Sequence, residues 1–463
     1  MRQVRARDAV YLYADDNESF STALSCTTIA SPDGEPVDLT RDEIVTWASE
    51  RVAISDQFRS KMVQLPRNIG LPYWVPDPDF TVSDHVMIHD GDHDWESARE
   101  VMTSVVELPF DLSRPPWMLH VIPNVAALPG EDRVVTIVGF RFHHVAFDGL
   151  TLVKLLSQMF SDDPVVPTEF VGSDTASRRS LIIREIGKVP VQWFRVSTAI
   201  IREIVRARRR EPQPPARTFP ATRFNRPLAG RRNIDFIEFD RSDVTELQSR
   251  CPGLTVNDVL LSVIGEAVSR YLAQAGEAPD GSIAALSPIS TRKMYDDSSS
   301  NQFSLIVVDL HIDESDLGAR LEQISAESNA EKKRVADWSK TDSKHLMNLM
   351  PAPVLRRIVR KNYRSMNTVR PEVPFNIVVS NVHTEQETAN TILGLSVRQA
   401  WALAPLGAGA TLAHTVADYR GKLIVAVTVD SDVIPDLSPY RVLLLESMQA
   451  HLTDAARDGH VDG

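Results

Sequence analysis

Two adjacent histidines, His143 and His144, are followed, after three intervening residues, by Asp148 and Gly149. An imidazole has an ordinary pKa of about 6.5, so a histidine held in a cleft can accept a proton from a hydroxyl or thiol and return it. The H-H-x-x-x-D-G spacing therefore predicts acid–base chemistry, and we assign the base to His144. For His-His alone, a pair of core histidines bonded to backbone carbonyls is the alternative interpretation.

The elements around the motif can be read from its flanks. The stretch Val134 to Phe142 is rich in apolar and β-branched residues, which predicts a strand covered on both faces. After Gly149, apolar residues recur at helical spacing as far as Phe160. The motif is thus expected at a strand–turn–helix junction. Successive side chains of a strand point to opposite faces, so only one of the two histidines can point into a given cleft.

Asp148 has two roles that fit this pattern. It could orient His144 as the acidic member of a triad. It could instead turn away and hold the loop through a salt bridge, for which Arg292 is our expected partner. Gly149 would supply a backbone shape that side chains disfavour. We expect the salt bridge.

The motif resembles that of the CoA-dependent acyltransferase superfamily, and further segments resemble the bacterial wax ester synthase/diacylglycerol acyltransferase family in order and approximate spacing. They are Asp8 to Tyr13, Trp74 with Asp79-Phe80 and His85-Val86, Phe110 to Trp117, Phe224-Asn225, Thr255 to Leu261, Pro288 to Ser290, Phe375-Asn376, Ser380 to Val382, Trp401 to Pro405, Tyr419 to Leu423 and Asp430 to Asp436. The chain departs from the family at His383-Thr384-Glu385, where Pro-Gly-Pro is usual, and at Leu286 to Ser290.

The resemblance implies an α/β fold of two chloramphenicol-acetyltransferase-like sandwich lobes with mixed sheets and an active-site tunnel between them. It implies an acyl-CoA-dependent O-acyltransferase acting on a lipid alcohol, with diacylglycerol as the expected acceptor and a fatty alcohol as a further one. Acyl-CoA is then a substrate, so we expect no cofactor. Two alternatives are a polyketide-associated or condensation-type acyltransferase with a carrier-bound donor, and a non-catalytic lipid-surface protein of the same fold.

Three further segments contain residues that could do chemistry. Asn257, at the start of a helical pattern, is our candidate oxyanion donor or acceptor-holding residue, with helix capping as the alternative. His89 to Asp94 has metal-ligand residue types, but glycine and aspartates between a strand and a helix indicate a turn, and we expect no metal. The basic run Arg356 to Arg364 is expected to be a solvated helix face, with contact to CoA phosphates or a membrane as the less favoured alternative.

Three regions are expected along the chain: residues 1–175, an N-terminal lobe carrying the histidine motif; 176–215, a basic amphipathic and proline-rich connector; and 216–463, a C-terminal lobe. The connector mixes apolar and basic residues as an interfacial helix does, and Pro190 is expected to interrupt it. The expected membrane contacts are Trp193, Phe194, Arg206, Arg208, Arg209 and Arg210. A helix packed on the core is an equally favoured interpretation.

Composition limits the location and the partners. The 463 residues are 43% hydrophobic, enough for two domains with cores, and the two cysteines form no disulfide framework. The residues after Met1 lack the apolar core of a secretory signal, so we expect none, and no apolar run approaches the roughly 18 residues that a membrane span requires. We expect a cytoplasmic protein, peripheral on the inner membrane face or lipid droplets. The net charge of −12 argues against nucleic acid as a partner.

Overall fold

The computed structural model describes residues 1–15, 21–147, 149–160, 177–208, 217–290, 303–339, 347–382 and 391–458. Its strands are β1 (Arg2–Gln3), β2 (Thr22–Ala30), β3 (Ser60–Val63), β4 (Tyr73–Pro76), β5 (Val86–Ile88), β6 (His93–Asp94), β7 (Trp117–Ala126), β8 (Val135–His143), β9 (Phe219–Pro220), β10 (Arg232–Asp240), β11 (Ala284–Ser290), β12 (Phe303–Asp309), β13 (Glu372–Val373), β14 (Ile377–Val382), β15 (Thr391–Ile392), β16 (Leu395–Leu403), β17 (Leu412–Tyr419) and β18 (Lys422–Asp430).

The helices are α1 (Ala6–Ala14), α2 (Arg41–Arg51), α3 (Trp95–Val106), α4 (Gly149–Met159), α5 (Arg178–Ala207), α6 (Arg241–Arg250), α7 (Val256–Gln274), α8 (Leu317–Ser339), α9 (Ala352–Met366) and α10 (Ser438–Asp458). Among these described helices, none combines the length and the apolar character needed to cross a bilayer.

The first large sheet is built around β8, all of whose residues are buried. Its strand order is β15-β16-β2-β8-β7-β5, with β6 also paired to β7, and β8 is antiparallel to both of its neighbours. On one face, α2 and α4 pack over Phe140 through Trp47 and Leu156. On the other face, Met102 of α3 contacts Cys26 of β2 (Sδ to Sγ, 3.6 Å). Covering both faces fixes the end of β8, which is where the two histidines lie.

A strand from the C-terminal half completes this first sheet. β16 pairs antiparallel with β2, placing Trp401 opposite Cys26. Trp401 also stacks on Phe236 of the second sheet, with ring centroids 4.7 Å apart, and the Gln399 amide donates to Glu238 Oε1 at 2.6 Å. The region boundaries at residues 175 and 216 stay a prediction. The first sheet does not respect them, because β15 and β16 belong to it although they lie in the C-terminal region.

The second sheet is mixed, in the order β10-β18-β17-β14-β11-β12. Its parallel pairs are β14 with β11 and with β17. The nearly all-buried helix α7 packs against it, with Ile264 and Val268 in one cluster with Val425 of β18 and Leu444 of α10. This architecture confirms the predicted α/β class, and the helical pattern predicted to start near Asn257 is confirmed by α7.

Helix α5 is continuous from Arg178 to Ala207, so the prediction that Pro190 interrupts it is wrong. A proline inside a helix removes one backbone hydrogen bond and bends the helix without necessarily ending it. Buried side chains hold α5 to the first lobe before the proline, where Glu185 accepts hydrogen bonds from the Tyr73 hydroxyl and from Lys188. The Gln192 amide then donates to the Met350 carbonyl at 3.2 Å.

Candidate active site

The histidine motif lies where β8 ends and α4 begins, which confirms the predicted strand–turn–helix junction. His143 is the last residue of β8, and Gly149 is the first of α4. The turn is closed by the Ala146 N–H, which donates to the His143 carbonyl at 2.9 Å. A buried strand thus delivers both imidazoles to one place.

His143 is bonded at both ring nitrogens. Its Nδ1 accepts the Val145 N–H at 3.0 Å, and its Nε2 lies 2.7 Å from Asp15 Oδ2. Because Nδ1 accepts, the proton of the neutral ring sits on Nε2 and is donated to Asp15. The His143 side chain is 2% exposed and both of its ring nitrogens are engaged, so neither nitrogen is free to contact a substrate hydroxyl.

Asp15, directly after α1, was missed by the sequence analysis. Its Oδ1 accepts both the Ser21 N–H at 2.8 Å and the Ser21 hydroxyl at 2.7 Å, while Oδ2 faces His143. Its contact with His143 joins residues 128 positions apart, for which a single sequence offers no signal. The carboxylate therefore ties the end of α1 to the end of β8.

His144 is the histidine available for chemistry. Its backbone N–H donates to the Ser21 carbonyl at 2.8 Å, and its half-buried ring stacks on Tyr11 of α1, with centroids 5.0 Å apart. Burial, with a smaller contribution from the neighbouring His143, lowers the pKa of His144 to about 4, although Asp15 and a hydrogen bond with the Phe147 backbone oppose the shift. At neutral pH the ring is therefore unprotonated, as a general base must be.

The remaining motif assignments are only partly within the described chain. Asp148 and Arg292 lie outside the described residues, so the salt bridge between them stays a prediction. Asn257 is the second residue of α7 and is half-buried. The capping box is formed by Thr255 and Asp258: the Thr255 N–H donates to Asp258 Oδ2 at 2.9 Å. Helix capping is therefore not the role of Asn257.

A cavity of about 750 Å³ opens beside β3 and the first turn of α5, and neither histidine of the motif lines it. The cavity reaches Phe110. The Phe110 ring makes an edge contact with the His143 ring, with centroids 6.3 Å apart, and the Arg141 guanidinium lies over the Phe110 ring. Its apolar lining consists of Met62, Val63, Val75, Pro76, Pro78, Phe110, Leu112 and Leu181. Polar side chains also line the cavity, namely Lys61, Gln64, Asp111, Ser113 and Arg178, so it combines an apolar wall that suits an acyl chain with polar groups.

Two side-chain groups resemble metal sites. In the predicted turn, His89 Nε2 lies 3.1 Å from His120 Nδ1, and Asp94 caps α3. Within the described residues, Asp309, His311 and Glu327 bring their ligand atoms within 4.8 Å of one another. Arg217 forms ion pairs with both of these carboxylates, at 2.5 and 3.0 Å, so a protein cation already occupies the side of the group that faces it.

The predicted membrane-contact residues lie on α5 or just beyond it. Trp193 and Phe194 are 49% and 70% exposed, and Arg208, after the helix, is exposed as well. The Arg206 side chain, Arg209 and Arg210 lie outside the described residues. Further exposed apolar residues on α5 are Ile183, Ile186, Val191, Ile200, Ile201, Ile204 and Val205. The helix is held by its buried face and presents an apolar and basic face outward.

Sequence models of a known family match most of the chain. The wax ester synthase/diacylglycerol acyltransferase catalytic domain matches residues 4–260, and the C-terminal domain of the same family matches residues 299–451. A putative diacylglycerol O-acyltransferase of Mycobacterium tuberculosis is 27% identical over 448 residues, covering 94% of this chain and 87% of that protein. A probable diacylglycerol O-acyltransferase of the same species is 24% identical over 452 residues, covering 94% and 92%.

Solved structures share the fold at low identity. The wax ester synthase/diacylglycerol acyltransferase from Marinobacter aquaeolei VT8 superimposes with a TM-score of 0.64 at 16% identity, covering 98% of this chain and 99% of that one. Trichothecene 15-O-acetyltransferase from Fusarium sporotrichioides gives 0.59 at 13%, covering 97% and 94%. The starter condensation domain of rhizomide synthetase, in complex with C8-CoA and Leu-SNAC, gives 0.54 at 12%, covering 98% and 94%.

The first prediction separates the two histidines. We expect His144→Ala to lower kcat by about 10²–10⁴-fold without unfolding the protein, because it removes the base. His143→Ala should lower kcat less but lower the free energy of unfolding more, because it removes the His143 ring that pairs with the Asp15 carboxylate. For the wild-type protein, the acid limb of kcat/KM should lie near pH 4, where His144 becomes protonated. More than a tenth of the rate surviving in His144→Ala would refute the assignment.

The second prediction tests Asp15. Asp15→Ala leaves the buried Nε2–H of His143 without an acceptor, so we expect the free energy of unfolding to fall by about 1–3 kcal/mol, with a loss of kcat. Urea denaturation and turnover measure the two effects. Asp280→Ala, at an exposed aspartate, is the control and should change neither quantity. Equal stability of the two variants would show that Asp15 does not hold the site.

Proposed function

The chain belongs to the wax ester synthase/diacylglycerol acyltransferase family, and on this basis we propose that it transfers a long-chain fatty acyl group from acyl-CoA to a lipid alcohol. Diacylglycerol is the proposed principal acceptor, giving triacylglycerol, and a fatty alcohol, giving a wax ester, is the second. The observation that carries the proposal is His144: a half-buried imidazole at the end of a rigid strand, unprotonated at neutral pH.

In the proposed reaction the acceptor hydroxyl attacks the thioester carbonyl directly. His144 takes the hydroxyl proton as the new C–O bond forms. When the C–S bond breaks, the same proton passes to the departing CoA thiolate. A base of this kind contributes about 10²–10⁴-fold, and alignment of two bound substrates and hydrogen-bond donors to the oxyanion must supply the rest. We assign the oxyanion or acceptor contact to Asn257, and we propose that Asp148 stays out of the chemistry by pairing with Arg292.

Several observations support a lipid substrate and a CoA donor. The cavity beside β3, which has an apolar wall, reaches the Phe110 ring that touches His143. The structurally similar rhizomide condensation domain was solved with C8-CoA. The curated relatives are named for diacylglycerol acylation. Neither a metal nor a cofactor is needed for direct transfer from a thioester.

The third prediction concerns donor and acceptor. Purified protein should form triacylglycerol from palmitoyl-CoA and dioleoylglycerol in detergent micelles, with slower ester formation from hexadecanol. The products are separated by chromatography, and His144→Ala is the matched inactive control. Turnover from a palmitoylated acyl carrier protein but not from palmitoyl-CoA would favour the condensation-type alternative. No turnover with either donor would favour the non-catalytic one.

We further propose that the protein is cytoplasmic and works while bound to the inner membrane face or to lipid droplets, because its acceptors are insoluble in water. A peripheral protein needs apolar side chains that enter the headgroup region and basic ones that meet anionic lipids. Exposed Trp193 and Phe194 supply the first on α5, and Arg202 and Arg208 contribute to the second.

The fourth prediction tests this surface. Each basic residue near an anionic bilayer contributes about 1 kcal/mol, so Arg202→Glu with Arg208→Glu should release the protein from anionic vesicles in a sedimentation assay. Binding of the wild type should weaken between low and physiological salt. Arg226→Glu with Lys333→Glu reverses the same charge at exposed positions off α5 and should have little effect. If both pairs behave alike, α5 is a packed connector and not the membrane contact.

A further inference from the structure

Helix α9 has a concentration of positive charge that the proposed chemistry has not used. Its cations are Arg356, Arg357, Arg360, Lys361 and Arg364, and the helix contains no acidic residue. Arg356, Arg360 and Arg364 are spaced four apart, so they form one stripe along the helix. Arg356 is half-buried, and the other two are exposed. We call these three residues the α9 stripe.

The α9 stripe is electrostatically unbalanced. Like charges four residues apart on a helix repel one another. Partial burial and the charges of Arg356 and Arg364 lower the pKa of Arg360. Within the described part of the chain, no carboxylate forms an ion pair with any of the three. The turn Pro66–Asn68 packs against α9 and adds the exposed Arg67, so the charge is increased from outside the helix as well. A polyanion bound here would relieve the repulsion.

The α9 stripe lies close to the catalytic histidine. α9 packs against α1, and Leu355 of α9, Tyr13 of α1 and Val145, the residue after His144, share one buried cluster. The charge of Arg356 reaches the Tyr13 phenol, where it opposes the effect of burial, which raises the pKa to about 12. α1 also carries Tyr11, on which His144 stacks. The stripe is therefore one helix away from the base.

We propose that Arg356, Arg360 and Arg364 bind the 3′-phosphate of the CoA nucleotide. The inference rests on the acyl-CoA donor proposed above. CoA places its phosphates at the far end of the pantetheine arm from the thioester, so a phosphate site belongs near the base but not at it. Arginine suits this role because its planar fork of donors matches phosphate geometry.

A lipid headgroup offers the same phosphate chemistry, but the surface of α9 fits it less well. Interfacial helices insert several apolar side chains beside their cations. Such residues are abundant on the exposed face of α5, where Phe194 is 70% exposed. α9 contributes Ile358, which is 39% exposed. Apart from Pro353 in its first turn, the remaining exposed residues of α9 are charged or polar, which suits a soluble anion.

The test couples the stripe to the phosphate. KM is measured for palmitoyl-CoA and for palmitoyl-3′-dephospho-CoA in uncharged detergent micelles, with wild type and with the triple variant Arg356→Gln, Arg360→Gln and Arg364→Gln. Charge-assisted hydrogen bonds are strong enough that KM for palmitoyl-CoA should rise at least about tenfold in the variant. kcat should be unchanged, and KM for the dephospho donor should rise much less.

The matched control removes the same charge from the other basic helix. Arg179→Gln, Arg184→Gln and Arg195→Gln lie at exposed positions on α5, outside the cavity lining and the proposed membrane contacts, and should leave both KM values unchanged. An equal rise of KM in the two triple variants would show a bulk charge effect and overturn the proposal. An equal rise for the two donors in the α9 variant would overturn it too, because the 3′-phosphate would not be what the stripe contacts.

Direct binding keeps the test independent of turnover. Calorimetry with CoA alone should show a weaker Kd for the α9 variant, and Arg360→Gln alone serves if the triple variant does not fold. An unchanged Kd, or loss of binding to anionic vesicles with unchanged KM, would overturn the inference in favour of a lipid headgroup or no ligand. Absence of acyl-CoA turnover by wild type defeats the proposed function, whereas unchanged constants in the variant defeat this inference only.

Discussion

The hydrogen bonds of the Asp15 carboxylate are the constraint on which the rest of the site depends. One oxygen holds the Ser21 N–H and hydroxyl, and the other faces His143 Nε2. Ser21 in turn accepts the His144 N–H, so a single carboxylate fixes both histidines relative to α1. Local contacts within the turn could not do this, because a strand end without a partner frays. The base is placed by a contact between the start of the chain and the end of β8.

The two histidines therefore have separate tasks. His143 uses its ring nitrogens for structure, and this leaves His144 as the ring with reactive capacity. Burial makes His144 a weak base, with a pKa of about 4, so it is unprotonated wherever the protein works. A weak base close to its substrate remains effective when the protein environment stabilises the imidazolium as it forms. The Asp15 carboxylate is near enough for its charge to act in that direction.

Several residues of the family pattern make structural contacts, some within the C-terminal region and one between the two sheets. The amide of Asn376 donates to Asn225 Oδ1 at 3.0 Å, and Asn225 donates to the Gly409 carbonyl at 2.7 Å. Trp401 stacks on Phe236 across the two sheets. These side chains join segments that are distant in sequence. Their hydrogen-bonding and stacking groups therefore have a structural use in this protein. The positive charge, by contrast, is concentrated on α5 and α9, on a chain whose net charge is −12.

The sequence alone determined the elements that depend on the local order of apolar and polar residues. Hydrophobic periodicity predicted β8, α4 and α7, and the same local pattern predicted the strand–turn–helix setting of the two histidines, because both reflect residues close together along the chain. The tertiary structure decided what depends on distant contacts. The exchange of β16 into the first sheet, the Asp15 support for His143 and the course of α5 through Pro190 could not be predicted. Each depends on packing between segments far apart in sequence, and a single sequence records the residues but not which of them meet.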